Sequence, residues 1–119
     1  MNPGADSILP RIDLAGHSVS RLIVGNNPMS GNSHYSVELT NAMLEYFTME
    51  RTKALLRNCE AHGINAFQSR ADPWMFHIHR EHRQEGGGMK FICQTASEMK
   101  DLPGNIRLAA REGAFAVYH

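Results

Sequence analysis

The chain alternates four short apolar runs with helical stretches that end at glycine, and this alternation narrows its fold more than any other feature. The runs cover residues 21–25, 64–68, 89–94 and 114–118. Each is too short and too evenly apolar for a half-exposed antiparallel strand, so each reads as a buried parallel strand. The helices between them have recognisable ends. Thr48 caps a stretch in which Leu55, Leu56 and Cys59 form one apolar stripe, and Gly63 supplies a left-handed stop. Asp72-Pro73 places a cap ahead of a first-turn proline and opens residues 74–85, closed by Gly86-Gly87-Gly88. Ile106, Ala109 and Ala110 mark a shorter helix that starts after Pro103-Gly104 and stops at Gly113. Strand, helix and strand in this order imply right-handed βαβ units.

Ahead of the first run, residues 8–14 and 17–19 flank Ala15-Gly16, which predicts a β-hairpin over 8–19 with the glycine in its turn. A hairpin followed by about three and a half parallel βα units over residues 21–119 predicts an α/β fold, a partial (β/α)8 TIM-type barrel with the hairpin across its bottom. A complete barrel needs roughly 250 residues. At 119 residues the chain therefore reads as a single N-terminal half-barrel domain. Two outcomes are open: a longer protein whose C-terminal half is missing here, or a half-barrel that pairs with another copy as a homo-oligomer. The ending on Val117-Tyr118-His119, inside a predicted strand, favours the first.

Charge removes several partner classes. Twelve basic and twelve acidic residues cancel and are interspersed, so no polycationic surface argues for nucleic acid or an anionic membrane. Residues 1–6 lack the basic and apolar regions of a signal peptide, and no segment is apolar enough to span a bilayer. A cytoplasmic location is expected. Cys59 on a helix stripe and Cys93 in a strand lack metal-ligand spacing and read as reduced core thiols.

Three segments resemble the opening of the aldo-keto reductase family: Arg11-Ile12-Asp13-Leu14-Ala15-Gly16, Val19-Ser20-Arg21-Leu22-Ile23-Val24-Gly25, and Ala61-His62-Gly63-Ile64-Asn65-Ala66-Phe67. The resemblance implies a bottom hairpin and a (β/α)8 barrel in which a glycine-isoleucine-asparagine turn leads into the second strand. It also implies four catalytic positions. Gln68 stands where the family's aspartate is expected, Pro73 near its tyrosine, Thr95 near its lysine, and His119 at its histidine. Without the tyrosine no phenol is positioned to protonate a carbonyl, and the family's nicotinamide-gripping half would lie beyond residue 119. The resemblance thus points to a divergent relative of that barrel, and no cofactor is assigned.

The C-terminal ends of barrel strands face the active site, which selects Asn26, Asn27, Gln68, Arg70, Asp72, Gln94, Thr95 and His119. Amides orient hydroxyls and carbonyls, Arg70 can hold a carboxylate or phosphate through two parallel bonds, and histidine moves protons near neutral pH. The set suits a small, oxygen-rich, anionic substrate. The alternative for Gln68, Gln94 and Thr95 is strand-end bonding to loop backbone, and for Asp72 helix capping or neutralisation of Arg70.

Residues 26–36 are long and polar for a βα connection, which typically runs about 2–6 residues. Ser36 can cap a short amphipathic helix through Leu39, Met43, Leu44 and Phe47, so residues 26–47 read as a lid-like insertion. Within it His34 is the preferred acid or base, with Ser33 and Tyr35 as substrate contacts; the alternative is a loop histidine bonded to backbone or water. Gly25 and Gly31 match neither the dinucleotide fingerprint nor a P-loop. Of His77, His79 and His82 the last two share a helix face while His77 points elsewhere; neither spacing nor intervening residues fit a zinc motif, so a solvated helix face is expected and no metal is assigned.

These residues give two classes of function. One is the N-terminal part of an enzyme, with His34 and His119 as proton-transfer groups, Arg70 as anion anchor and Asn26, Asn27 and Gln94 as orienting groups. The other is a non-catalytic half-barrel that self-associates as a binding or assembly module. An aldo-keto reductase-like oxidoreductase is a third possibility, resting on the resemblance.

Overall fold

The computed structural model describes residues 9–119; residues 1–8, with the start of the expected hairpin and the segment read for a signal peptide, lie outside the described residues. Strands β1 (Arg11–Leu14) and β2 (His17–Ser20) pair antiparallel, Leu14 opposite His17, around the Ala15-Gly16 turn. Helices α1 (Val37–Tyr46) and α2 (Met49–Ala61) follow. Strand β3 (Ala66–Arg70), helix α3 (Pro73–Gln84), strand β4 (Lys90–Gln94), helix α4 (Leu102–Arg111) and strand β5 (Ala114–Tyr118) complete the described chain.

The helix ends arise as local sequence chemistry requires. Ser36, Thr48 and Asp72 each accept a hydrogen bond from an amide three residues on, at 3.0, 3.2 and 2.9 Å. Asp101 does the same for α4, accepting from the Gly104 amide at 3.0 Å. Gly63, at φ 91°, ends the α2 segment in the left-handed region, where a Cβ would be strained.

The expected partial barrel is not present. β3, β4 and β5 form one open parallel sheet in that order, and the hairpin is a separate two-stranded sheet. Residues 21–25 do not form a strand: only Val24 bridges, parallel, to Phe67. The local cause is visible in the hydrogen bonds. The Arg21 amide is tied to the Pro10 carbonyl at 2.8 Å, which keeps it with the hairpin. Just past Val24 the backbone turns, with the Ser30 amide on the Asn26 carbonyl at 3.1 Å. Leu22 and Ile23 are left 57% and 41% exposed, against the expectation of burial.

One face of the parallel sheet carries the core. Phe67 and Phe91 stand in register on it and meet at 6.1 Å, while Phe76 of α3 approaches Phe91 edge-on, also at 6.1 Å. Met29, Leu56, Ala71, Met75, Ile78, Met89, Cys93 and Ala109 complete the cluster. Burying a side chain of this size contributes roughly 1.5–3 kcal/mol. Lys53 of α2 is almost wholly buried and reaches Glu81 and Glu85 at the α3 end at 2.8 and 2.7 Å, with Glu50 at 3.0 Å. These carboxylates hold its ammonium above its usual range.

The expected solvated histidine face is corrected here. His77 is exposed and pairs with Glu81 at 2.8 Å, but His79 and His82 are buried. His79 stacks on Phe91 with ring centroids 4.5 Å apart. His82 Nε2 lies 3.0 Å from Glu60, whose carboxylate also accepts from the Gly88 amide at 2.9 Å. Aromatic area lets a histidine serve as a core residue, His82 with its nitrogen satisfied by Glu60 and His79 through its stack on Phe91.

Candidate functional site

Parallel register sets the geometry of the rim. Arg70, Gln94 and Tyr118 are mutual partners on β3, β4 and β5, so their side chains form one row at the C-terminal strand ends. That row lies on the face opposite the Phe67–Phe91 core, with Gln68, Ile92 and Ala116 forming the next row inward. Strand-end carbonyls are closed off by the following loops. The Ala71 amide donates to the Gln94 carbonyl at 2.8 Å, and the Thr95 amide to the Tyr118 carbonyl at 2.9 Å.

One residue beyond Gln94 and Tyr118 on their strands, Thr95 Oγ1 and His119 Nδ1 are 2.8 Å apart. Thr95 is buried whereas His119 is exposed, so the hydroxyl fixes the ring while Nε2 remains without a protein partner among the described residues. Such an imidazole can give or take a proton at Nε2, according to which tautomer the Thr95 contact selects.

Arg70 is engaged. Its guanidinium pairs with Glu98 in the β4–α4 loop, and its Nε lies 3.7 Å from Asp72. Asp72 also caps α3, and its charge joins burial in pushing the Cys93 thiol up to about 12. Burial alone raises Cys59. Neither thiol is poised as a nucleophile at neutral pH.

The loop residues form separate local clusters. Asn26 is buried and donates to Ser30 Oγ at 2.9 Å, which holds the turn after Val24. Asn27 Nδ2 lies 3.4 Å from His34 Nε2, and His34 is exposed with φ 58°. Ser33 Oγ donates to the Ser36 carbonyl at 2.8 Å and accepts from Thr40 Oγ1 at 3.1 Å, inside the cap of α1. Tyr35 is 86% exposed. Gln68 reaches toward Gly25, within 3.9 Å of where a Cβ would stand.

The structure therefore brings together Arg70 with Asp72, Gln94 with the Arg70 row, Thr95 with His119, and Asn27 with His34. No hydrogen bond among the described residues joins the His34 cluster to the His119 cluster. Nor do three His, Cys, Asp or Glu side chains converge on a metal position there. Of the four positions implied by the reductase resemblance, Thr95 and His119 are in contact.

Two rim residues escape sequence reasoning. Tyr118 was legible in principle, since strand alternation puts it level with Gln94 once the register is known. Glu98 was not, because its pairing with Arg70 crosses 28 positions and a helix. No helix among the described residues is long and apolar enough to cross a membrane. Comparison with protein families, curated proteins and solved structures gives no match.

Proposed function

We propose that the C-terminal rim of the parallel sheet is a small-molecule site for an oxygen-rich, anionic substrate, with His119 as its proton-transfer group. The observation that carries this reading is the registered row Arg70, Gln94 and Tyr118 beside the Thr95–His119 contact. Three adjacent strand ends thereby offer a guanidinium, an amide, a phenol and an imidazole. Open α/β sheets bind ligands at the carboxyl ends of their strands. The incoming anion shares the Arg70 guanidinium with Glu98 or displaces it, and the Glu98 side chain is 65% exposed and free to swing away. A cytoplasmic setting fits the two free thiols, Cys59 and Cys93.

The test is a thermal-stability screen of the chain against small carboxylates and phosphate monoesters. A ligand at about 100 times its Kd adds roughly 2.7 kcal/mol to stability. Arg70→Gln and Gln94→Ala are expected to abolish the gain, whereas His119→Ala is expected to keep most of it. Absence of any stabilising ligand, or gains that survive both rim substitutions, overturns the proposal.

A second reading is favoured by the sheet itself. Parallel sheets are ordinarily covered on both faces, yet Gln68, Ile92 and Ala116 are only half-buried on the face opposite the core, and among the described residues β5 has no strand on its outer side. In this reading the chain self-associates through that face and edge as a binding or assembly module.

A further inference from the structure

Beside α4 a groove of about 460 Å³ runs between the helix and residues 99–101. Gly104, Arg107, Leu108 and Arg111 line it at helical spacing, and Met99 and Lys100 form the opposite wall. Its charge is one-sided. Among the described residues Lys100, Arg107 and Arg111 have no carboxylate within ion-pair distance, as also holds for Arg11, Arg21, Arg51, Arg83 and Lys90, but only here do three such side chains line one groove. The one acidic residue in the wall, Asp101, is engaged in capping the Gly104 amide at 3.0 Å. Asn105 is engaged as well, donating to the Ala71 carbonyl at 3.0 Å and accepting from the Ala96 amide at 3.0 Å. The floor is apolar: Met99 is 45% exposed and Leu108 is half-buried.

We infer that this groove binds a small amphiphilic anion, its charged head between Lys100, Arg107 and Arg111 and its aliphatic body along Met99 and Leu108. Guanidinium forks hold carboxylates and phosphates in two parallel bonds, and the volume lies within the usual range of small-ligand sites, about 300–1,000 Å³. Side chains do the holding, because the Gly104 and Asn105 amides are already bonded to Asp101 and Pro103 has none.

The test is an NMR titration of the chain with octanoate, 1-octyl phosphate, 1-octanol and inorganic phosphate, each below its aggregation limit. Both amphiphilic anions are expected to shift the amides of residues 99–111 saturably, and more weakly at high salt. Octanol and inorganic phosphate are expected to bind at least about tenfold more weakly, since each lacks one of the two contacts. A preference between the two anions identifies the headgroup. The double variant Arg107→Ala/Arg111→Ala, at exposed helical positions, is expected to weaken binding about tenfold or more, with Arg51→Ala as an unaffected control. Octanol binding as well as the anions, or shifts unchanged in the double variant, overturns the proposal.

Discussion

His79 shows how one side chain couples packing to pH. Burial, helped by Arg83 and His82 and opposed by Glu112, lowers its pKa from the usual 6.5 to about 4, and its Nδ1 has no hydrogen-bond partner among the described residues. The unfolded chain therefore binds a proton below about pH 6.5 that the folded chain refuses until about pH 4. Stability should fall as pH drops through that window, by on the order of 2 kcal/mol, and urea midpoints at pH 7 and pH 4.5 measure it. His79→Phe, which keeps the stack on Phe91, should flatten that slope; an unchanged slope would assign it elsewhere. Glu81 and Glu112, held below the usual carboxylate range by Lys53 and Arg80, act only at lower pH. None of this was legible in the sequence. A histidine triplet on a helix looks polar, and only the position of Phe91 across the sheet turns His79 inward.

Among the elements, the hairpin and α1 are held very differently. Asn65 accepts from the Ser20 amide at 2.8 Å, donates through its side chain to the Ser18 carbonyl at 2.9 Å, and donates its backbone amide to Ser20 Oγ at 3.1 Å. This clamp fixes the end of β2 to the turn before β3. Asn65→Ala should cost about 1–3 kcal/mol and loosen the hairpin first, detectable as faster amide exchange over residues 11–20. α1 buries no residue, with Leu39 and Leu44 40% and 53% exposed. Its amides should exchange at least about tenfold faster than those of Phe91 and Cys93. Helix ends were well legible, because Ser36, Thr48, Asp72 and Gly63 act within three or four residues. Whether an apolar stripe is covered was not, since that depends on what the rest of the chain brings to it.

For the whole molecule, the repeat of strand and helix correctly implied parallel neighbours but not closure into a barrel. Sequence period fixes order along a sheet, whereas curvature and closure depend on every strand being long enough to pair, and the run at 21–25 contributes a single bridge. The resulting sheet keeps one face only half-buried at Gln68, Ile92 and Ala116, so light scattering over a dilution series should show a concentration-dependent dimer that Ala116→Lys, on that face, dissociates. A monomer at all concentrations would discard self-association. Lys53 and its three carboxylates join α2 to α3 behind the opposite face. The sheet is thus braced on one side only. Any movement that accompanies ligand capture at the rim must come from residues 26–36 and 95–101, so this molecule would report binding through the mobility of two loops, with its helical backing as a motionless reference.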